Sequence, residues 1–233
     1  MGRAEDFLDR YRTLEEALCK KYNIEEKAFG SPIVRFINDK EGKEYKDKLN
    51  LCREIRNFLS HHSDFDGERI IEPSQSMIDF LQTVIDYIIQ PPLAVHWATL
   101  YADIFKTTPS QKVQTVMRKM QRLGFSHVPV IENGEFIGVF SVSTIFAYSL
   151  KNGMSSMNDD MLIGDFAELL PPEKHETEKF SFVGYDATLF SVKNMFNKKL
   201  QRSKRLAAVF ITDNGSVGGR IIGMLTPWDV INE

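Results

Sequence analysis

The sequence predicts an α+β protein in which an N-terminal helical bundle is followed by two packed β-α-β-β-α repeats. Through residues 1–92, apolar side chains recur at steps of three and four, the spacing of helices that bury one face. Pro91 and Pro92 end this pattern, because proline cannot continue a helix. Beyond them, short apolar runs typical of strands alternate with helical spacing, in an order that occurs twice.

The order of these patterns divides the chain into five segments. We predict a helical bundle over residues 1–92, a linking helix over 93–103, a first repeat over 104–150, a connector over 151–179 and a second repeat over 180–233. Each repeat has too few strands to bury both faces of a sheet. We therefore expect the two repeats to pack on each other as one unit.

Within the repeats, individual elements follow from the apolar spacing and the turn residues. We predict strands at 104–106, 127–131 and 136–141, and again at 180–183, 206–212 and 221–225. Asn133-Gly134 and Asn214-Gly215 are hairpin signals, because both residue types tolerate the positive φ angles of tight turns. A helix lies between the first two strands of each repeat, and another follows the last strand.

The composition is that of an ordinary soluble globular protein, with 42% hydrophobic and 26% charged residues. A formal net charge of −3 gives no general attraction to nucleic acids, although a local basic patch remains possible. No apolar run reaches the length of a membrane span, and Met1 to Tyr22 is too charged for a signal peptide. We therefore expect a cytoplasmic protein with no membrane partner.

Cysteine and histidine usage gives no sign of a metal site or a disulfide. Cys19 and Cys52 both lie in segments with helical spacing, and we expect both to be reduced thiols. No metal-ligand spacing is present, so we predict no metal. His127, beside Val128 and Pro129, is interpreted as a strand-edge or packing histidine with no assigned role.

The clearest internal repeat lies at the end of each copy. Residues 138–144 read Gly-Val-Phe-Ser-Val-Ser-Thr, and residues 223–229 read Gly-Met-Leu-Thr-Pro-Trp-Asp. Thr226 and Asp229 form a capping-box pattern, with a hydroxyl before a helix and an acid three residues later. The same pair is also suited to hold a phosphate and a ribose. Both interpretations remain open at this stage and do not exclude each other.

The second half of the chain, from about Tyr101 to Glu233, resembles a pair of CBS domains, the tandem known as a Bateman module. The resemblance rests on the doubled β-α-β-β-α order, on His127-Val-Pro-Val-Ile131, on the Asn-Gly hairpins and on the ending of the second copy. It implies a regulatory module that binds an adenine nucleotide, AMP, ADP or ATP, in the cleft between the copies.

The same resemblance assigns roles to individual residues. It implies that Thr226 contacts the phosphate or ribose, and that Asp229 accepts from the ribose 2′- and 3′-hydroxyls. Ser141 is the matching hydroxyl of the first copy, but Thr144 occupies the position of the carboxylate. A threonine cannot accept from both hydroxyls of a diol, so we expect the first site to be weakened or lost.

The basic stretch over residues 198–205 has two interpretations. It is typical of a solvated helix end, where cations interact favourably with the helix dipole. Alternatively, Arg202 or Arg205 reaches the phosphates of the nucleotide.

The N-terminal bundle contains Arg56-Asn57-Phe-Leu-Ser-His61, which resembles the arginine, four residues, histidine motif of HEPN domains. That resemblance implies a usually dimeric helical bundle and a metal-independent ribonuclease in which Arg56, Asn57 and His61 are catalytic. On an ideal helix, five steps turn about 500°, which leaves Arg56 and His61 roughly 140° apart. They converge only if the helix ends near Ser60 or across a dimer axis. Otherwise these side chains make solvent or interface contacts.

Together the two resemblances predict a homodimeric sensor, in which a CBS pair binds an adenosine-containing small molecule and controls a HEPN-like helical domain. The alternative is a nucleotide-gated ribonuclease that acts on RNA through Arg56 and His61. The sequence does not decide whether the protein is an enzyme.

Overall fold

The computed structural model describes residues 2–24, 31–61, 64–65, 68–153, 158–197 and 204–231. The chain forms two compact units, Met1–Pro92 and Leu93–Glu233, so the boundary lies directly after the second proline. One unit is almost wholly helical and the other combines helices with strands, which confirms the predicted α+β class.

The described residues of the first unit form four α-helices and one small pair of strands. The elements are α1 (Arg3–Tyr22), α2 (Pro32–Asn38), α3 (Lys46–His61), β1 (Asp64–Phe65), β2 (Glu68–Arg69) and α4 (Gln75–Ile89). The predicted apolar faces are buried in one core, which includes Phe7, Leu14, Phe36, Leu49 and Leu81. Burial of these faces stabilises the bundle, because isolated helices of this length are marginal in water.

The first repeat consists of a helix, a β-hairpin and a second helix. The elements are α5 (Val113–Leu123), β4 (His127–Glu132), β5 (Glu135–Ser141) and α6 (Val142–Asn152). Asn133 and Gly134 both have positive φ, at 51° and 85°, which explains why an Asn-Gly pair forms this tight turn. β4 and β5 pair antiparallel along their whole length.

The strand predicted at 104–106 is absent. Only Thr107 makes a ladder contact there, an isolated parallel bridge to Val130. Ile104 is nevertheless buried, in a core shared by both repeats. The apolar signal in this stretch therefore reflected burial of a side chain in an irregular segment.

The segment predicted as a connector is part of the core of the first repeat. Two short 3₁₀ helices, Ile163–Leu169 and Pro172–Lys174, follow one another in it. Ile163 and Phe166 are fully or almost fully buried beside the strands of the first repeat. The backbone of residues 161–163 bonds to that of residues 111–113, so this segment is tied to the start of α5.

The second repeat contributes most of a four-stranded sheet. Its elements are β6 (Glu178–Gly184), α7 (Leu189–Asn197), β7 (Arg205–Thr212), β8 (Ile221–Leu225) and α8 (Trp228–Ile231). β6 and β7 pair parallel, whereas β7 and β8 pair antiparallel. The described part of α7 ends at Asn197, and residues 198–203 of the predicted basic stretch, Arg202 included, lie outside the described residues.

The linking helix predicted over 93–103 is wrong. Its only helical part is a 3₁₀ turn, Ala94–Trp97, after which β3 (Thr99–Leu100) pairs antiparallel with β8. The sheet order is therefore β3-β8-β7-β6. β8 would otherwise be an open edge, and strand addition satisfies its backbone groups. Gly223 permits the approach, because a Cβ there would lie 3.0 Å from the Cβ of Ala98.

The two repeats pack on each other through a shared apolar cluster. It contains Ile131 and Val139 from the first repeat and Phe180, Ala208 and Phe210 from the second. The ring of Phe136 contacts that of Phe210, with centroids 5.1 Å apart. This shared core confirms the predicted packing of two repeats into one unit. Among the described residues, no helix has both the length and the apolar character of a membrane span.

Candidate functional site

The end of the second repeat brings Thr226 and Asp229 together. One carboxylate oxygen of Asp229, Oδ2, accepts from the backbone N–H of Thr226 at 2.6 Å and from its hydroxyl at 2.7 Å. The Asp229 side chain thus caps the backbone N–H of Thr226, which is one half of the predicted capping box. The Thr226 hydroxyl donates to the carboxylate, and the N–H of Asp229 bonds instead to the carbonyl oxygen of Thr226. Both bonds to the carboxylate use the same oxygen, so Oδ1 of the half-buried carboxylate takes no part in the cap.

The end of the first repeat forms a complete capping box, with a hydroxyl in the position of the carboxylate. The backbone N–H of Ser141 donates to the hydroxyl of Thr144 at 3.1 Å, and the N–H of Thr144 donates to the hydroxyl of Ser141 at 3.2 Å. A neutral hydroxyl thus replaces the carboxylate that Asp229 supplies in the second copy. The first copy retains the cap but lacks the charged, bidentate acceptor.

Arg205 lies at the same edge of the sheet as the end of β8. It is the first residue of β7, and in the register Arg205 is paired with Glu178, the first residue of β6. Because β8 runs antiparallel to β7, its last residue, Leu225, lies opposite Val209, four residues after Arg205, and the chain leaves β8 in the direction of the start of β7. The start of β7 and the Thr226 turn therefore share one edge, and Arg205 is exposed there.

A buried polar cluster around Glu178 was not predicted from the sequence. The Glu178 carboxylate is 6% exposed and accepts from the hydroxyl of Ser141 at 3.0 Å and from the hydroxyl of Ser143. The Nε2 atom of His127 lies 2.9 Å from Oε1 of the carboxylate, and Nδ1 of His175 lies 3.5 Å from Oε2. The predicted ligand residue Ser141 is thus fully buried and already bound to a carboxylate.

Opposing effects act on the ionisation of Glu178. Burial raises its pKa, but hydrogen bonds from His127, His175 and Ser143 outweigh burial and hold the pKa well below the ordinary value of 4.5. The carboxylate is therefore charged at neutral pH, and its charge is stabilised by the histidine ring nitrogens and the serine hydroxyl.

Sequence reasoning missed this cluster because its members are far apart in the chain. His127 and Glu178 are separated by 51 positions, and Ser141 and Glu178 by 37. One signal was present: Glu178 lies two residues before the predicted strand at 180–183, and a charged side chain buried at the start of a strand requires a hydrogen-bond or ion-pair partner. The identity of that partner required the fold.

The depressed pKa of Glu178 predicts a specific acid sensitivity. A group with a lowered folded-state pKa stabilises the fold above its unfolded-state pKa, and this contribution is lost as pH falls below about 4.5. We expect urea unfolding to show that the stability difference between wild type and Glu178→Gln narrows from pH 6 to pH 3.5. Glu176→Gln, at an exposed neighbouring position, should follow wild type across the range. A constant difference for Glu178→Gln would contradict the assigned ionisation.

The residues of the HEPN-like motif lie in the last turns of α3. The Arg56 guanidinium donates to the Asn57 amide oxygen at 3.3 Å and lies 5.7 Å from the ring centroid of Tyr11 on α1. The helix continues to His61, which is exposed. Its unbroken geometry keeps Arg56 and His61 roughly 140° apart around the axis, so fraying at Ser60 does not bring them together.

The described residues contain no group of three or more His, Cys, Asp or Glu side chains arranged to hold a metal ion.

A protein-family model for the CBS domain matches residues 101–151, which include the whole of the first β-hairpin and most of α6. The CBS resemblance is thereby supported for the first repeat. No match was found among curated proteins.

Solved CBS-domain structures are similar to part of this chain at low sequence identity. The structure of CBSX2 in complex with AMP is 18% identical and has a TM-score of 0.42, covering 60% of this chain and 93% of that one. CbpB in complex with c-di-AMP is 18% identical, with a TM-score of 0.46 and coverages of 66% and 89%. The CBS domain of a bacterial CNNM/CorC family Mg²⁺ transporter in complex with ATP is 14% identical, with a TM-score of 0.43 and coverages of 65% and 91%. These ligands are properties of those proteins.

Proposed function

We propose that the unit Leu93–Glu233 is a regulatory module that binds an adenine nucleotide, AMP, ADP or ATP, at the end of its second repeat. The observation that carries this proposal is the Asp229 carboxylate. It is held in place through Oδ2 by Thr226, while Oδ1 is left out of the cap. The CBS-domain match over residues 101–151 supports the same class of function.

Each residue at this edge has a distinct chemical role in the proposal. Asp229 accepts from the ribose 2′- and 3′-hydroxyls, because a carboxylate can accept two hydrogen bonds at once. The hydroxyl oxygen of Thr226 donates its proton to Asp229 and keeps lone pairs for a ribose hydroxyl. Arg205, exposed at the same sheet edge, supplies positive charge for the phosphates. Trp228 is 76% exposed beside them and offers a flat surface for the adenine ring.

The helical unit Met1–Pro92 is proposed as the part that the module regulates, as a HEPN-like domain in a homodimer. Regulation of this kind requires a nucleotide that binds two arrangements of the protein with different affinity. The order of the chain, with a compact helical unit before the proposed sensor, supports this assignment.

Direct binding measurements test the nucleotide proposal. Isothermal titration of the full chain with AMP, ADP and ATP should give saturable heat for at least one of them, with about one site per chain. The bound nucleotide should also raise the melting temperature, since a ligand at 100 times its Kd stabilises the folded state by about 2.7 kcal/mol. GTP serves as the control for specificity. Absence of both signals with all three adenine nucleotides would refute the proposal.

The alternative is a metal-independent ribonuclease in the first unit. It is favoured by the exposed His61 at the end of α3 and by the Arg56 side chain held beside Asn57. A histidine can transfer a proton near neutral pH and an arginine can hold the scissile phosphate. Because one helix keeps the two residues apart, the active site would combine Arg56 of one copy with His61 of another.

This alternative predicts cleavage of RNA by purified protein in the presence of a chelator. Arg56→Ala and His61→Ala should each abolish it while circular dichroism shows that the fold persists. An equal mixture of the two variants should recover part of the activity, because a mixed dimer contains one intact composite site. Arg10→Ala, on the exposed face of α1, is the matched control. RNA that stays intact with and without adenine nucleotides would exclude the ribonuclease.

A further inference from the structure

The start of α6 has the features of an anion-binding site. The hydroxyls of Ser141 and Ser143 both point to one carboxylate oxygen, Oε2 of Glu178, at the first turn of this 11-residue helix. From the other side, Nε2 of His127 binds Oε1 at 2.9 Å. Hydroxyl and ring N–H donors at a helix N-terminus form the kind of environment that binds phosphate and carboxylate groups.

The anion in this position belongs to the chain itself. Glu178 is the first residue of β6, which comes after the segment that follows α6 in the sequence. Its carboxylate is almost completely buried. His175, which lies before β6, directs Nδ1 towards the same carboxylate at 3.5 Å and its Nε2 lies 3.3 Å from the carbonyl oxygen of Leu170. The group is thus enclosed by donors from β4, the β5–α6 junction and the segment before β6.

The corresponding positions of the two repeats obtain their carboxylate from different parts of the chain. Ser141 occupies the position in the first repeat that Thr226 occupies in the second, and the two have the same backbone cap. At Thr226 the hydroxyl bonds to an acid three residues away in the same turn. At Ser141 the local acid is replaced by Thr144, and the carboxylate comes from a distant part of the chain instead.

We propose that Glu178 is an internal ligand whose carboxylate occupies an anion-binding site at the start of α6. It prevents phosphate-bearing ligands from binding to the first repeat at this closed site, and it attaches β6 to that repeat. A second anion at this position would be repelled by the buried negative charge of Glu178. The donors of Ser141 and His127 would also be unavailable to it, because they are already hydrogen-bonded to that carboxylate. With the proposed function, this closure makes the stoichiometry one nucleotide per chain. The closure itself does not depend on nucleotide binding at Asp229.

A small carboxylate added to Glu178→Ala tests the proposal. The substitution leaves donors of His127, Ser141 and Ser143 around a space of carboxylate size, and free acetate can enter it. We expect the variant to melt well below wild type in sodium chloride at pH 7. Sodium acetate at the same ionic strength should recover at least half of that loss. Inorganic phosphate is the second probe, and recovery with either anion supports an anion site.

Three controls separate site occupancy from general salt effects. Wild type and Glu176→Ala, at an exposed position two residues earlier, should show no difference between acetate and chloride. Glu178→Gln should be destabilised yet insensitive to acetate, because its amide still fills the space. If Glu178→Ala does not fold in chloride, its refolding yield in acetate against chloride becomes the measurement.

The effect of acetate and phosphate on the stability of Glu178→Ala decides whether the proposal holds. A loss of stability, or of refolding yield, that neither acetate nor phosphate reverses overturns the internal-ligand proposal and leaves Glu178 as an ordinary buried hydrogen-bond acceptor. Nucleotide titration of wild type is a separate experiment, so a failure of the proposed function and a failure of this inference are distinguishable.

Discussion

Replacing Asp229 with alanine should weaken adenine-nucleotide binding by more than tenfold. The substitution removes the only carboxylate of the Thr226 turn and with it the proposed acceptor for both ribose hydroxyls. Hydrogen bonds to a charged group contribute about 1.5–3 kcal/mol, and about 1.4 kcal/mol corresponds to a factor of ten in Kd. Titration calorimetry of wild type and variant with the tightest-binding adenine nucleotide measures the difference.

Asp229 also caps the last helical turn, so a second variant is needed to separate the two roles. Asp229→Asn retains an amide oxygen that can accept from the N–H and hydroxyl of Thr226, but it loses the charge and the second acceptor oxygen. We expect Asp229→Asn to melt close to wild type and still bind nucleotide more weakly. Asp103→Ala, at an exposed position of the same unit, is the control for charge alone. Unchanged affinity in Asp229→Asn and Asp229→Ala would remove Asp229 from the site.

Gly138→Ala should destabilise the second unit strongly. A Cβ at this position of β5 would lie 2.1 Å from the carbonyl oxygen of Leu170, a backbone atom that cannot rotate away. The same carbonyl accepts from the N–H of Val139 at 2.8 Å, so relief of the clash would break a buried hydrogen bond. Overpacking of this kind costs about 3 kcal/mol.

The urea unfolding midpoint of the full chain measures this loss. Gly218→Ala is the matched control, because a Cβ there would meet no atom within 4 Å. We expect its midpoint to equal that of wild type. A Gly138→Ala variant as stable as Gly218→Ala would mean that the segment after α6 can move away from β5 without cost, contrary to its buried packing beside the first repeat.

Several features of the fold were predictable because their signals are local. The helical spacing around Phe7, Leu14 and Leu81 depends only on which side chains share a helix face, and all three are buried. Asn133-Gly134 forms the predicted hairpin because few other residue pairs tolerate two positive φ angles. The cap between Thr226 and Asp229 follows from spacing within one turn.

The predictions that failed involve partners distant in sequence. Thr99–Leu100 has no strand signal strong enough to overcome the helical spacing around it, and it became a strand because β8 offered an unpaired edge. The stretch at 104–106 is apolar, but it is buried without joining a ladder. The bond between the hydroxyl of Ser141 and Glu178, 37 positions away, was not predicted from the sequence.

The α+β class, the break after Pro92, the doubled repeat and the asymmetry between Thr144 and Asp229 can all be read from the amino-acid sequence. These depend on residue types at short spacings, where chain geometry is nearly independent of the rest of the fold. The position of Glu178 at the Ser141 end of the first repeat depends on the complete fold, because a buried charge is stabilised by whichever donors the fold brings around it. Asp229, capped on one oxygen only, remains the carboxylate on which we expect a nucleotide to bind.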